Sequence, residues 1–263
     1  MNKLPVICHE TEDFAIIFKP PRMHTAPIGQ DAPLRRDGKE GGGETLLDWY
    51  AKIFPPIMEL SGRKENEGGL LHRLDFETQG LVLFAKNQQT LENLLIQQKQ
   101  GKFIKEYSVI CQKSAPQPGA VEFSIEQQGG NAATPLVIES YFRPYGPGRK
   151  QVRPVTKEKL KEKEIAKDGD AYYKTEIIGI ERKQTDSKEE QYHFTVRLKR
   201  GFRHQIRCHL AWVGFPVLND PLYGGAELNG KGDRFLALRA TGLFFDDPKN
   251  GEPIQITINN ITT

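Results

Sequence analysis

The most constraining feature of this chain is the stretch 70–86, which reads LLHRLDFETQGLVLFAK. Leu81 to Ala85 is a run of five apolar residues without alternation, which is typical of a strand covered on both faces near the middle of a sheet. The residues from Leu70 to Asp75 predict a preceding strand, and the polar residues up to Gly80 predict a loop between the two. A carboxylate on such a support is held in a defined position. From this pattern alone, an acidic turn residue or a helix N-cap is the simpler interpretation of Asp75.

The composition is that of an ordinary soluble globular protein, with 263 residues, 37 % hydrophobic and 27 % charged. Its formal net charge of +3 permits an anionic partner without requiring one. Three cysteines lie far apart without metal-ligand spacing, which predicts reduced thiols and a cytoplasmic protein. No apolar run approaches the ~20 residues that span a bilayer, so we expect neither secretion nor membrane insertion.

Hydrophobic periodicity predicts strands and short helices in alternation. Two short strands are expected within residues 4–19. Helices are expected over 45–54, with Thr45 as the candidate N-cap, and from a cap at Asn87 or Thr90 to Gly101. A third helix is expected over 204–213, with Gly214 in the C-terminal stop position. Further strands are predicted at 103–112, 121–125, 136–142, 172–180, 192–199, 235–238, 243–245 and 254–258. Residues 27–44 and 145–170 are polar and charged, the first segment also rich in Gly and Pro, and are predicted as loops or insertions.

Two later segments carry further candidate site residues. The period of two places Tyr107 on the apolar face of its strand, where a packed core tyrosine is the simpler interpretation. All charged residues between Thr195 and Asn219 are basic. If the following helix already includes residue 203, Arg203 and Arg207 share one face near its first turn, where anions are favoured. A phosphate-rich partner and a solvated basic face both fit this charge pattern.

The histidines of this region do not predict a metal site. His204 and His209 are five residues apart, a spacing that does not place two ligands on one helix face. Polar packing or contacts with RNA are the better interpretations. A metal-dependent hydrolase that uses His72 and Asp75 is the weakest reading, because further ligands are lacking.

Four segments in this order resemble the RluA-type pseudouridine synthase family. They are FAIIFKPPRMHTAP at 14–27, the stretch 70–86, which is similar to the signature H-R-L-D-x-x-T-S-G, IKEYSVI at 104–110, and GFRHQIRCHLAWVGFPVLNDPLYG at 201–224. Two departures stand out. Gln79 replaces the usual Ser, and Phe202 and Arg203 follow Gly201 where the family has Arg and then Thr or Ser.

The resemblance implies a mixed α/β (α+β) pseudouridine synthase fold, with a central mixed or antiparallel sheet, flanking helices and a basic active-site cleft. It implies isomerisation of uridine in ribosomal or transfer RNA, without a metal or an organic cofactor. We expect a single catalytic domain over residues 1–263, without the N-terminal S4-type module of some relatives, and a monomer that contacts no membrane. The alternative from another class is a non-catalytic RNA-binding or assembly factor on the same fold.

By resemblance, Asp75 is the nucleophile, Tyr107 stacks on the uracil and can exchange a proton, and Arg207 pairs with the aspartate. Arg73 matches the residue that enters the space left by an extruded base. The remaining residues assigned to RNA binding are His72, Arg203, His204 and Gln205, with His72 also expected to support the loop.

Overall fold

The computed structural model describes residues 4–27, 43–64, 66–125, 135–156, 172–185, 188–224 and 235–258. The chain forms two compact units: unit 1 comprises 1–104 and 239–263, and unit 2 comprises 105–238. The strands are β1 (Val6–Glu10), β2 (Phe14–Lys19), β3 (Gln79–Ala85), β4 (Ile104–Cys111), β5 (Leu136–Tyr145), β6 (Gln151–Val155), β7 (Tyr173–Gln184), β8 (Glu190–Leu198), β9 (Leu238–Asp246) and β10 (Pro253–Thr257). The α-helices are α1 (Leu46–Ala51), α2 (Gln88–Lys99) and α3 (Gln205–Trp212).

Unit 1 is built on a mixed sheet in which β3 lies between β2 and β9. The β2–β3 pair is antiparallel, whereas β3 and β9 run parallel where Gly80 lies opposite Ala240. All of β3 after Gln79 is buried, which confirms the interpretation of its unbroken apolar run. Its core joins the sheet to α2 through side chains that include Phe14, Leu81, Leu83, Leu91, Leu94, Phe103 and Phe245.

The two helices of unit 1 begin at the predicted caps. The Thr45 hydroxyl accepts a hydrogen bond from the Asp48 amide, and the Asp48 carboxylate accepts one from the Thr45 amide, which is a capping box. Asn87 caps α2 by accepting a hydrogen bond from the Thr90 amide.

Unit 2 is an antiparallel sheet of order β4-β8-β7-β5-β6. Alternate residues of β4 and β8 are buried, as the period of two predicts. All eight residues of α3 are buried, and a core of Phe142, Val152, Tyr173 and Cys208 lies between this helix and the strands. Gly214 has a φ of 91° just beyond the helix, which is the expected stop position.

The structure corrects several of the predicted elements. Leu70 to Asp75 is not a strand, because only Leu70 bridges to Phe84 before the chain turns away toward Thr25. Residues 121–125 form no strand and follow a turn closed by the Ala120 amide and the Gln117 carbonyl. The predicted strands at 235–238 and 243–245 are one strand, β9, that begins only at Leu238.

The predicted loop at 145–170 contains the strand β6. Residues 157–170 of that loop lie outside the described part of the chain, and so do residues 28–42 of the loop predicted at 27–44. The helix α3 begins at Gln205, so Arg203 is not part of its first turn. Among the described residues, no helix has the length and apolar character to cross a membrane.

Candidate active site

The loop that carries Asp75 is fastened by backbone contacts immediately before and after it. The Leu74 amide donates to the Thr25 hydroxyl at 3.1 Å, and this hydroxyl donates to the Leu74 carbonyl at 2.9 Å. Beyond Asp75, its own carbonyl accepts a hydrogen bond from the Thr78 amide at 3.1 Å. Leu74 and Thr78 are buried, whereas Asp75 is only half-buried. The loop therefore holds a partly exposed Asp75 on a fixed backbone.

Gly80 ends this loop at a place where no side chain fits. Its φ is 128°, and a Cβ built there would lie 2.2 Å from the Ala240 carbonyl oxygen. The glycine therefore allows the loop to enter β3 directly beside the parallel strand β9.

Lys19 lies beneath the Asp75 loop and was not predicted as a site residue. Its side chain is fully buried, and Nζ donates to the carbonyls of Pro20, Met23 and Phe76 at 2.9, 2.8 and 3.4 Å. Desolvation lowers the pKa of Lys19 to about 7, against the opposing effect of the negative charges on Asp75 and Glu77. Because Phe76 follows Asp75 directly, Lys19 ties the loop to the end of β2.

The two residues ahead of Leu74 differ in exposure. His72 is 8 % exposed, its Nε2 accepts a hydrogen bond from the Leu83 amide at 3.4 Å, and its ring lies 5.5 Å from that of Phe103. These contacts support the loop. The Arg73 side chain is 40 % exposed and its Nη1 lies 3.1 Å from the Glu67 carboxylate. An ion pair with that exposure is weak enough to exchange for another anion.

Tyr107 lies on the buried face of β4, opposite Val196 of β8, and is 6 % exposed. Lys105 shares that face and is also 6 % exposed. A Cβ added at Gly201 would lie 3.1 Å from the Lys105 Nζ, so the lysine extends toward the segment that precedes α3. A tyrosine with a neighbouring buried cation has the chemistry to hold an aromatic base and to exchange a proton.

Arg207 is fixed in unit 2 by Asp220, which sequence reasoning did not assign. Its Nε donates to Oδ2 and its Nη2 to Oδ1 of Asp220, both at 2.7 Å, and the side chains are 2 % and 0 % exposed. Oδ1 also accepts the backbone amides of Leu222 and Tyr223 at 2.9 and 3.2 Å. This bidentate pair orients the planar guanidinium and satisfies the buried carboxylate.

The other predicted RNA-binding residues of unit 2 surround the start of α3. His204 Nδ1 is hydrogen-bonded to the Tyr223 hydroxyl at 3.2 Å, and the Arg207 Cζ lies 5.4 Å from the Tyr223 ring centroid. Gln205 is buried and donates to the Lys174 carbonyl at 2.9 Å. Arg203 is exposed, and its Nη2 donates to the carbonyls of Arg149 and Gln151 at 2.7 and 3.2 Å.

A buried histidine holds α3 against two strands. The ring nitrogens of His209 are hydrogen-bonded to the hydroxyls of Ser140 in β5 and Thr175 in β7, each at 2.8 Å. Gln205 Nε2 also donates to the Thr175 hydroxyl at 3.1 Å. Burial lowers the pKa of His209 to about 3, so the ring is neutral near pH 7.

This histidine should make stability depend on pH. The unfolded chain binds a proton at His209 below its ordinary pKa of 6.5, whereas the folded chain does so only near 3. Its contribution is therefore complete above pH 6.5 and is lost, by about 1.4 kcal/mol per pH unit, as the pH falls toward 3. Urea unfolding of wild type and His209→Gln at pH 7 and 5.5 should show a smaller loss for the variant. His9→Gln is the matched control, and equal losses in wild type and His209→Gln would contradict the assignment.

Among the described residues, no group of three or more His, Cys, Asp or Glu side chains is arranged to hold a metal ion. All three cysteines are free thiols. Asp75, Arg73 and His72 belong to unit 1, whereas Tyr107, Arg207, Arg203, His204 and Gln205 belong to unit 2. The predicted site residues are therefore divided between the two units.

Comparisons with known proteins agree with these features. The family profile described as RNA pseudouridylate synthase matches residues 13–212. The chain is 28 % identical over 260 residues to the ribosomal large subunit pseudouridine synthase D of Haemophilus ducreyi, covering 95 % of this chain and 65 % of the relative. It is 25 % identical to the Escherichia coli protein of the same name, covering 86 % and 54 %. The chain therefore spans about half to two thirds of the length of these relatives.

A solved structure shares the fold. Human RNA pseudouridylate synthase domain containing 1 superposes with a TM-score of 0.60 at 19 % identity, covering 98 % of this chain and 84 % of that one. The predicted α+β fold is thereby confirmed. Because the family profile covers well over half of the residues, the chain belongs to the RNA pseudouridylate synthase family.

Proposed function

We propose that this protein isomerises specific uridines in RNA to pseudouridine, with Asp75 as the nucleophile. The observation that carries the proposal is the family match over residues 13–212, within which an accessible carboxylate stands on the fastened loop of unit 1. The names of the bacterial relatives favour ribosomal RNA over transfer RNA as the substrate to test first.

The chemistry is balanced without an external reactant. The bond between ribose C1′ and uracil N1 breaks, the uracil turns, and a bond forms between C1′ and C5. The C5 proton is lost and N1 gains a proton. A carboxylate beside the sugar can stabilise its developing positive charge or bond to it, which divides a difficult step into two easier ones.

The other residues have roles that follow from their chemistry. Tyr107 stacks on the base and exchanges a proton, while Arg207 is the residue that, by resemblance to the family, pairs with the catalytic aspartate. Arg73 leaves its ion pair with Glu67 and enters the space in the RNA that the extruded uridine has vacated. We further propose that the reaction takes place in the cytoplasm, where RNA substrate is available and the three free thiols stay reduced.

The function is tested by mapping pseudouridines in cellular RNA with the protein present, deleted, and restored as wild type or Asp75→Asn. A site that is lost on deletion and recovered only by wild type supports the proposal and identifies the uridine. Recovery by Asp75→Asn would instead show that the protein acts without this carboxylate, as an RNA-binding or assembly factor.

A further inference from the structure

A groove of unit 2 combines an aromatic floor with arginines at its rim. It has a volume of about 410 Å³ and is lined by Pro144, Arg149, Val152, Tyr173, Gly201, Phe202 and Arg203. None of these described lining residues is acidic, and the flanking stretch 141–156 contains no Asp or Glu. The groove therefore attracts anions on one side and offers apolar surface on the other.

Phe202 is the aromatic residue of the groove that is open to a ligand. Its ring stacks on Phe142 at a centroid distance of 4.9 Å and an interplanar angle of 3°, and it lies 5.0 Å from the Tyr173 ring. Those two neighbours are buried, whereas Phe202 is half-buried. The stack therefore holds the Phe202 ring in place and leaves part of its surface accessible.

The arginines at the rim are held near this ring. Arg203 Nη2 donates to the carbonyls of Arg149 and Gln151, which fixes its guanidinium at the turn between β5 and β6. Arg149 is exposed at the same turn. The Arg200 Cζ lies 5.3 Å from the Tyr173 ring centroid and adds a third positive charge nearby. An aromatic face between arginines suits a base with its phosphate.

We propose that this groove binds an unpaired nucleotide of the RNA substrate, with its base on Phe202 and its phosphate at Arg149 and Arg203. The inference rests on the proposed function for the identity of the ligand as RNA. Phe202 stands where the resembled family has arginine. At this position the chain can therefore stack on a base, whereas the family offers a positive charge. A paired nucleotide is excluded, because its base faces are already covered by neighbouring bases.

The test uses a short fluorescein-labelled oligoadenylate, which contains no uridine for the active site to select. Phe202→Leu keeps an apolar side chain but loses the aromatic face, and should weaken binding roughly tenfold in fluorescence anisotropy. Arg149→Gln should lower the slope of log Kd against log salt by about 0.7. Lys183→Gln is the control, because Lys183 is ten residues along β7 from Tyr173, or about 33 Å. Wild-type affinity in Phe202→Leu, or equal weakening in the control, would overturn the inference.

Ultraviolet crosslinking of the wild-type protein gives a second measurement that does not depend on a variant folding. Crosslinks to Phe202 or Tyr173 support the groove, and crosslinks confined to other segments overturn it. Asp75→Asn should bind the oligoadenylate as wild type does. In the wild-type protein, groove binding without pseudouridine formation would count against the proposed function alone, whereas pseudouridine formation without groove binding would count against this inference alone.

Discussion

Asp75→Asn should lower the rate of pseudouridine formation by more than about 10⁴-fold while the fold and RNA affinity stay unchanged. Asparagine has nearly the same shape, and the contacts that fasten the loop use the backbone of Leu74 and Asp75 instead of the carboxylate. Only the negative charge and its nucleophilicity are lost. Removal of a covalent nucleophile leaves just the catalysis that binding and orientation supply.

The rate is measured in single turnover as release of tritium from RNA labelled at uracil C5, since that position loses its hydrogen in the reaction. The matched control is Glu77→Gln, which neutralises a carboxylate two positions away on the same loop. Glu77 forms a long ion pair of 3.8 Å with Arg22, and both side chains are partly exposed. Glu77→Gln should keep wild-type turnover. Comparable losses in both variants would mean that the loop's net charge matters and that Asp75 has no specific role.

Asp220→Ala should lower the free energy of unfolding by about 3–5 kcal/mol. The change leaves the buried guanidinium of Arg207 without the carboxylate that accepts two of its hydrogen bonds. It also removes the acceptor for the amides of Leu222 and Tyr223. Urea unfolding at pH 7 measures the loss. The same variant should lose most activity where it stays folded, because the orientation of Arg207 depends on Asp220.

The control for this pair is Glu106→Ala, which breaks the 2.9 Å pair with Arg197 between β4 and β8. The Glu106 and Arg197 side chains are 17 % and 35 % exposed, so the loss of this ion pair should lower the free energy of unfolding by under about 1 kcal/mol. The double variant Arg207→Met with Asp220→Leu should recover much of the stability, because no buried charge remains, yet stay inactive. A stable, active Asp220→Ala protein would contradict both assignments.

The sequence predicted the elements whose cause is local. The unbroken apolar run of β3, the alternation in β4 and β8, and the cap at Thr45 each depend on neighbouring residues, and all three were confirmed. The strand predicted at 121–125 was wrong, because alternating apolar side chains also suit an irregular segment. Phe123 packs against Phe215 although its segment forms no strand. Local pattern cannot distinguish these cases.

The contacts of Lys19 and Arg207 were not predictable because their partners are distant in the sequence. Lys19 meets the Phe76 carbonyl across 57 residues of sequence, and a lysine is ordinarily expected at the surface. Arg207 and Asp220 lie 13 residues apart across the end of a helix. Asp220 lies within a quoted family motif, yet nothing in its neighbours marks it as the partner of an arginine.

The fastening of the Asp75 loop has a consequence for how this sequence can evolve. The chain is anchored at Leu74 by Thr25 and at Gly80 by the close approach of Ala240. Between these anchors Asp75 is required by its proposed role and Thr78 is buried, whereas the half-buried Gln79 stands where the resembled family has Ser, so its side chain can change. An insertion or deletion would instead shift Asp75 along the loop and displace its carboxylate. The length of this segment is therefore more constrained than the identity of partly exposed residues such as Gln79.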